Sequence, residues 1–387
     1  MNPLENASTL VFWTDGMSGA GASLMETLSE LEDPRRPSNG TRHDFREILV
    51  IAVCAMLSDA DSFEDIALWG RLKADWLRRF LPLKNGIPSA DTFLRVFRVL
   101  DPKQFEAVFR RWVGGIVGAL EGSVAIDGKT LCGSADGDGP AVHMVSAFST
   151  NLGLVLGQEK VAGKSNEITA IPELLDALYI KGLLVSIDAM GCQREIAAKI
   201  LDKGGDYLLA VKGNQPTLAQ QVRDLVSDAQ ACGPGFEQAE RGHGRTVLQM
   251  SWAVPSGSEI DPALWPGCKT VGCVVSQRFV GDKAAELEER FYISSRVLSA
   301  EELARTVRAH WAIENRLHWM LDVCFGEDGS MVRKDNAPQN LSLLKKIILN
   351  LIRTDTTDPV KTSLRQKRKR AAWDDDIRMK MLGIHPL

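Results

Sequence analysis

Two aspartates that each close a short β-rich run are the first candidates for chemistry in this sequence. Asp127 ends the run 123–127, and Asp188 ends the apolar run 183–188. A glycine or an alanine follows each of them, so both carboxylates are expected at strand ends beside open space. Taken singly, each aspartate is more typical of an ordinary turn. If the two strands are neighbours, however, two like charges meet, and proteins hold such a pair mainly where a divalent cation neutralises it.

A third acidic ligand is expected from a helix late in the chain. His310, Glu314 and His318 recur at intervals of four residues, which places them along one face of a helix. Asp322 is the main rival of Glu314 for the third position. Zinc motifs place two histidines four residues apart, whereas His310 and His318 are eight residues apart. Packing of the neighbouring tryptophans, with the polar residues on a solvated face, is the alternative for this segment.

Oxygen-only ligation favours Mg²⁺ or Mn²⁺ over zinc. Two such ions, roughly 3.5 to 4 Å apart, can activate an attacking oxygen and stabilise a leaving oxygen at a phosphodiester. Glu167 is a competing acid that precedes a predicted helix and favours its dipole. The cations that could hold phosphates, each equally an ordinary surface residue, are Lys129, Lys212, Arg308 and Arg316.

Composition indicates a folded, water-soluble protein. The 387 residues are 44% hydrophobic and 25% charged, and 46 basic residues against 50 acidic ones give a net charge of -4. A DNA-binding surface would therefore have to be local. The 7 cysteines form no C-x-x-C pair, which fits a reducing compartment. With no apolar run long enough for a membrane span, we expect a cytoplasmic, nucleoid-associated protein.

The elements that must position these residues fall into four segments. Residues 1–40 are rich in Gly, Ser and Pro and predict a loose leader, and residues 41–120 predict a helical domain. Residues 121–355 follow the order β-β-β-α-β-α-β-α, an α/β ribonuclease-H-like core with a partly β insertion at about 213–290. Residues 356–387 predict a basic tail.

Several ordered motifs resemble those of DDE-type insertion-sequence transposases of the H-repeat-associated family. The resemblance spans about residues 24–380. Its motifs are LEDPR (31–35), GIPS with DTF (86–93), AIDGKT (125–130), KSNEITAIP (164–172), IDAMGCQ (187–193), KGNQ (212–215), RGHGR (241–245), HWAIEN (310–315) and RKDNAP (333–338).

The resemblance implies that Asp127, Asp188 and Glu314 are the catalytic triad and hold two Mg²⁺ or Mn²⁺ ions. It also implies that the helical segment is a transposase-associated domain. In such enzymes water attacks a phosphodiester at the element's end, and the freed 3′-hydroxyl then attacks target DNA. The sequence departs from the Tyr-Arg-Glu-Lys spacing of the broader superfamily, whose other places are taken here by Val307, His310 and Leu321.

The expected partner is DNA, both terminal inverted repeats and target, with a homodimer joining two ends. Residues 89–99 could be a recognition helix carrying Arg95 and Arg98, although solvated charges are an equal interpretation. Two other functions stay open: a nuclease of the same fold that only cuts, and a catalytically silent DNA-binding relic. The stronger basic cluster for DNA lies in the tail and comprises Lys367, Arg368, Lys369 and Arg370.

Overall fold

The computed structural model describes residues 23–37, 41–118, 120–137, 139–162, 166–242, 244–280, 283–357 and 362–384. The chain divides into two compact units. The helical unit comprises the residues up to 118, residues 131–142 and residues from 320 onward. The sheet unit comprises residues 119–130 and 143–319. Residues 1–22 and 38–40 of the predicted leader lie outside the described residues.

Fourteen α-helices lie in the described part of the chain, and the first of them falls within the segment predicted as a leader. They are α1 (Leu24–Leu28), α2 (Phe45–Leu57), α3 (Phe63–Leu72), α4 (Ala74–Leu77), α5 (Ala90–Val99), α6 (Pro102–Val117), α7 (Glu167–Asp176), α8 (Arg194–Asp202), α9 (Pro216–Ala231), α10 (Ala300–His310), α11 (Trp319–Phe325), α12 (Ala337–Thr354), α13 (Leu364–Trp373) and α14 (Asp375–Leu382).

All strands found in the described residues belong to the sheet unit. They are β1 (Ser123–Thr130), β2 (His143–Ser149), β3 (Val155–Lys160), β4 (Leu184–Ile187), β5 (Asp206–Val211), β6 (Phe236–Gly242), β7 (Arg245–Pro255), β8 (Thr270–Val280), β9 (Lys283–Ala284) and β10 (Glu288–Ser294). They form one sheet in the order β3-β2-β1-β4-β5-β10-β8-β7-β6, with β9 paired to β8.

The first half of this sheet follows the predicted element order. From β1 to β5 the elements are β-β-β-α-β-α-β, and the mixed α/β class with an N-terminal helical region is confirmed. β1, β4 and β5 are parallel, whereas β1, β2 and β3 form an antiparallel meander. The segment 213–290, predicted as an insertion, contributes α9 and strands that continue the same sheet, because β10 pairs with both β5 and β8.

Helix α10 is fixed against the middle of the sheet. Ser299 caps its N-terminus in a reciprocal pair with Glu302, with the Glu302 amide donating to the Ser299 hydroxyl at 3.2 Å. Leu303 and Val307, four residues apart on one face, are buried in a cluster completed by sheet and loop residues. That packing determines where the residues after α10 lie. The other buried members of the cluster are Leu184, Leu208, Val274, Tyr292 and Leu298.

The N-terminal helices begin where the sequence predicts. The Ser89 hydroxyl accepts the Thr92 amide at 3.3 Å and caps α5. Asp101 caps α6, which starts with Pro102, a residue that needs no backbone hydrogen bond at this position. Both starts are set by local chemistry that is legible in the sequence.

The segment predicted as a basic tail is instead helical and packed within the helical unit. Arg368 in α13 is 1% exposed and donates to the carbonyls of Met56 and Ala60 at 3.0 and 3.1 Å. It also pairs with Asp61 at 2.5 Å. Its guanidinium lies 4.4 Å from the centre of the Phe325 ring. The Arg368 side chain is thus enclosed by its own unit, and DNA contact by this residue stays a prediction.

The neighbouring cations that we expected at DNA also have protein partners. The Lys367 ammonium donates to the carbonyls of Ile352 and Asp355 at the end of α12, at 3.3 and 2.8 Å. Lys369 lies 5.8 Å from the ring centre of Trp373, and Arg370 stands in the last turn of α13. In α5, Arg95 pairs with Asp91, and Arg98 pairs with Asp335 at 2.7 Å. Arg95 and Arg98 are more exposed than Lys367 and Arg368, so they are better placed to exchange these partners for phosphate.

Replacing Arg368 should destabilise the protein rather than weaken DNA binding directly. Arg368→Met leaves several carbonyls and a carboxylate without their donor, and we expect a loss of about 3 kcal/mol in the free energy of unfolding. Urea denaturation measures this loss. Arg365→Met, at an exposed position of the same helix, is the control and should change stability by less than about 0.5 kcal/mol. Weaker DNA binding by Arg368→Met at unchanged stability would contradict this structural role.

Helices long and apolar enough to cross a bilayer are absent from the described residues.

Candidate metal centre

The register of β1 and β4 brings Asp127 and Asp188 to the same place on the sheet. The two strands are parallel neighbours, and Ile126 pairs with Ile187. Asp127 and Asp188 are the next residues, so they occupy neighbouring positions on strands about 4.8 Å apart. Asp188 follows the last residue of β4 as predicted. The prediction that Asp127 ends a strand is wrong, because pairing with β2 continues β1 to Thr130. The prediction that the first and fourth strands are neighbours is confirmed.

A tight turn after β4 holds the Asp188 carboxylate in place. Its Oδ1 accepts the backbone amides of Met190 and Gly191 at 3.0 and 3.2 Å. A β-carbon on Gly191 would overlap the Ile187 side chain, so the turn requires glycine at this position. The aspartate therefore caps its own turn and still presents its carboxylate at the end of the strand.

Glu314 reaches the site from a π-helical turn, residues Glu314–His318, that follows α10. The sequence predicts one long helix here. A π turn contains more residues than an α-helical turn, so it changes the direction in which the following side chains point. His318 Nδ1 lies 3.5 Å from Asp127 Oδ2 and 3.6 Å from Glu314 Oε2. One ligand atom from each of the three residues lies within 4.8 Å of the other two.

His310 does not join the cluster that Glu314 and His318 form with Asp127, although the predicted spacing places all three helix residues on one face. Its Nδ1 lies 3.0 Å from the Ser186 hydroxyl, which ties the end of α10 to β4. Burial lowers the pKa of His310 to about 4, so the ring is neutral at physiological pH. His318 belongs to the cluster, although the sequence analysis gave it no role. Its position four residues after Glu314 was the sequence feature that could have indicated this.

The charges at this site leave Asp127 poorly compensated. Burial, and then the negative charges of Glu314 and Asp188, together raise the pKa of Asp127 to about 8. Burial also raises the pKa of Asp188, against the backbone amides of Gly191 and Met190 and the positive charge of Lys212, which lower it. The hydrogen bond from His318 lowers the pKa of Glu314. Crowded carboxylates of this kind favour binding of a cation.

The donor set fits a hard or borderline divalent cation. Asp127 and Glu314 offer carboxylate oxygens, Asp188 stands beside Asp127, and His318 adds an imidazole nitrogen. Carboxylates are the ligands that Mg²⁺ and Mn²⁺ prefer, and imidazole suits transition metals. His318 is only 6% exposed, and its Nε2 has no hydrogen-bond partner among the described residues.

The four cations expected to hold phosphates are placed differently from one another. Lys212 follows β5 and acts electrostatically on Asp188, and Lys129 lies in β1, two residues after Asp127. Arg308 instead pairs with Glu240. Arg316 donates to the Thr150 carbonyl at 3.1 Å and lies 5.8 Å from the Phe148 ring centre. Of these four cations, Lys129 lies nearest Asp127 along the chain and Lys212 acts on Asp188.

Two family descriptions match this chain. Residues 120–351 match the transposase DDE domain, and residues 25–113 match the domain described as DDE_Tnp_1-associated. The first match covers the sheet unit's strands and all three acidic residues of the candidate site. The second covers the N-terminal helices.

Similar proteins span nearly the whole chain. YncI of Escherichia coli O157:H7, which is named as a transposase, is 42% identical over 363 residues, covering 90% of this chain and 92% of its own. YhhI of Escherichia coli strain K12, named as an H repeat-associated transposase, is 39% identical over 362 residues, covering 91% of this chain and 95% of its own. Among solved structures, the piggyBac transposase synaptic complex with hairpin DNA matches with a TM-score of 0.44 and 10% identity, covering 92% of this chain and 76% of that chain.

The matched domain extends over more than half of the chain. The two relatives align with 90% and 91% of the chain, so the similarity is not confined to one motif. The chain belongs to the DDE-type transposases, in the H repeat-associated family.

Proposed function

We propose that this protein cuts DNA at the ends of its insertion sequence and joins the freed ends to target DNA. The observation that carries the proposal is the convergence of Asp127, Asp188 and Glu314 from three distant parts of the chain. We assign these three residues as the catalytic carboxylates. The family shows the class of function, DNA transposition, and the assignment of residues is our inference.

We infer that β1 to β5 with α7, α8 and α10 form a ribonuclease-H-like core. The support is the strand order β3-β2-β1-β4-β5, in which an antiparallel meander is extended by two parallel strands. In this arrangement β4 ends beside Asp127 of β1, and the π turn after α10 supplies the third acid. The helical residues 41–120 are then the transposase-associated domain and the first candidate for binding terminal repeats.

Asp127, Asp188 and Glu314 would hold two divalent ions, Mg²⁺ or Mn²⁺. When bound, such ions stabilise negative charge at a phosphodiester and favour ionisation of the attacking hydroxyl. The raised pKa of Asp127 means that this carboxyl group gives up a proton when a cation binds, so binding should release protons and strengthen with pH. Lys212 is placed to attract a phosphate toward Asp188.

The reaction consists of two displacements at phosphorus. In the first, a water oxygen bonds to phosphorus at the element's end, the bond to the 3′-oxygen breaks, and a 3′-hydroxyl is released. In the second, that 3′-hydroxyl bonds to a phosphorus of target DNA, and a target 3′-hydroxyl leaves. The same carboxylates serve both steps, because each step places a similar charge on the phosphate.

The decisive experiment incubates the protein with the inverted repeats that flank its coding sequence and with Mg²⁺, and maps the products to the nucleotide. We expect cuts at the repeat ends and joined products when pre-cut ends and target DNA are supplied. Cuts without any joined product would identify a nuclease, and the absence of both with intact DNA binding would contradict the proposed activity.

Synapsis of two ends predicts a homodimer on DNA. Light scattering of the complex with repeat DNA should give a mass of two chains bound to two ends. The protein without DNA is the control. A complex of one chain with one end, under conditions where joining proceeds, would contradict this prediction.

A further inference from the structure

A carboxylate that the catalytic assignment does not use lies beside Gly128, the residue that follows Asp127. Gly128 follows Asp127 in β1, and a β-carbon placed on Gly128 would come within 2.5 Å of Glu167 Cδ and 2.5 Å of His143 Nε2. Any residue other than glycine would therefore displace these two side chains. Because Gly128 has no side chain, there is room for the Glu167 carboxylate and the His143 imidazole beside β1, the strand that carries Asp127.

Three elements hold the Glu167 carboxylate in this position. Glu167 is the first residue of α7, whose N-terminus is capped by the Asn166 side chain. Its Oε1 lies 2.7 Å from His143 Nε2, and His143 Nδ1 lies 2.8 Å from the Thr130 hydroxyl. Since a carboxylate only accepts hydrogen bonds, His143 Nε2 donates to Glu167. Thr130 and His143 are also paired across β1 and β2, so the chain of contacts is anchored on the sheet.

The charge of Glu167 acts on both catalytic aspartates. It raises the pKa of Asp188 and that of Asp127. The Glu167 side chain is only 15% exposed. A favourable interaction with the α7 dipole is worth about 0.3–1 kcal/mol at such a position. That interaction explains an acid at a helix start, but not a mostly buried acid whose charge acts on two other carboxylates and which is held by its own histidine.

We propose that Glu167 is a fourth carboxylate of the metal centre and a ligand to a divalent cation, with His143 and Thr130 as positioning residues. The inference rests on the proposed function, because it assigns a further ligand to the same centre. A fourth carboxylate from the start of α7 supplements the ligands that come from β1, β4 and the π turn. The His143 contact restricts the carboxylate to one orientation, as outer-shell partners do for other metal ligands.

The test measures Mn²⁺ binding to the full chain by calorimetry and by the electron paramagnetic resonance signal of free Mn²⁺. Glu167→Gln keeps the shape and the hydrogen bond from His143 but removes the charge, and we expect Mn²⁺ affinity to fall about 10- to 100-fold. Gly128→Ala should reproduce this loss by displacing the carboxylate. The matched control is Glu173→Gln, which removes the same charge at an exposed position of α7 and should bind Mn²⁺ as the wild type does.

The outcomes separate this inference from the proposed function. Unchanged Mn²⁺ affinity in Glu167→Gln, with binding lost in Asp127→Asn, would overturn the role of Glu167 and leave the catalytic assignment standing. Unchanged binding in Asp127→Asn would overturn the assignment itself. An equal loss in Glu167→Gln and Glu173→Gln would show a general charge effect and also overturn the inference. Circular dichroism checks that each variant is folded.

Discussion

Asp127→Asn should lower the rate of DNA end cleavage by about 10³-fold or more while leaving the affinity for repeat DNA nearly unchanged. The carboxylate is central to the cluster, with the Asp188 strand on one side and Glu314 and His318 on the other. Loss of a metal ligand removes several kcal/mol of transition-state stabilisation, and about 4 kcal/mol corresponds to a factor of about 10³. Single-turnover cleavage of labelled repeat DNA measures the rate, and a gel shift measures binding.

Glu314→Gln and Asp188→Asn should have the same effect, because the three acids act as one unit. The matched control is Glu301→Gln, which removes a carboxylate from the first turn of α10, where it pairs with Arg305. It should cleave within about twofold of the wild type, as expected for an exposed pair worth less than about 1 kcal/mol. Cleavage at the wild-type rate by any of the three triad variants would exclude that residue from the active site.

The same substitution, Asp127→Asn, should stabilise the metal-free protein, and more so at pH 8 than at pH 5. The pKa of Asp127 is raised from 3.8 to about 8 in the folded chain, first by burial and then by Glu314 and Asp188. When the pH exceeds 3.8, the unfolded chain loses the proton of this carboxyl group, whereas the folded chain retains it up to about pH 8. The contribution of Asp127 to stability therefore falls as the pH rises from about 4 to about 8. Asparagine stays neutral and avoids this loss, which amounts to several kcal/mol because each pKa unit is worth about 1.36 kcal/mol.

Thermal denaturation in the presence of a chelator measures this effect as the difference between variant and wild type at each pH. Adding Mn²⁺ should narrow the difference at pH 8, because a ligand at 100 times its dissociation constant stabilises the folded wild type by about 2.7 kcal/mol. Asp202→Asn, at the end of α8, is the control and should show no such pH-dependent gain. A wild type that is as stable as Asp127→Asn at pH 8 without metal would contradict the raised pKa.

Local patterns predicted much of the chain correctly because they depend on neighbours in sequence. The apolar run of β4, the caps at Ser89 and Asp101, and the β-β-β-α-β-α-β order are all encoded within a few residues of where they occur. The packing of the basic C-terminal segment could not be predicted, for the complementary reason. Its charge is local, but the burial of Arg368 depends on residues some 300 positions earlier in the chain.

The sequence by itself determined which acids were candidates, that Asp188 follows a buried strand, and that the chain resembles a transposase family. Only the tertiary structure decided that a π turn aims Glu314 and His318 at Asp127 while His310 bonds to Ser186. It also decided that Glu167 occupies the space left by Gly128. The physical reason is that helical periodicity specifies a face of a helix but not a break in that helix. Charge repulsion and the room left by a missing side chain arise only after distant segments have packed together.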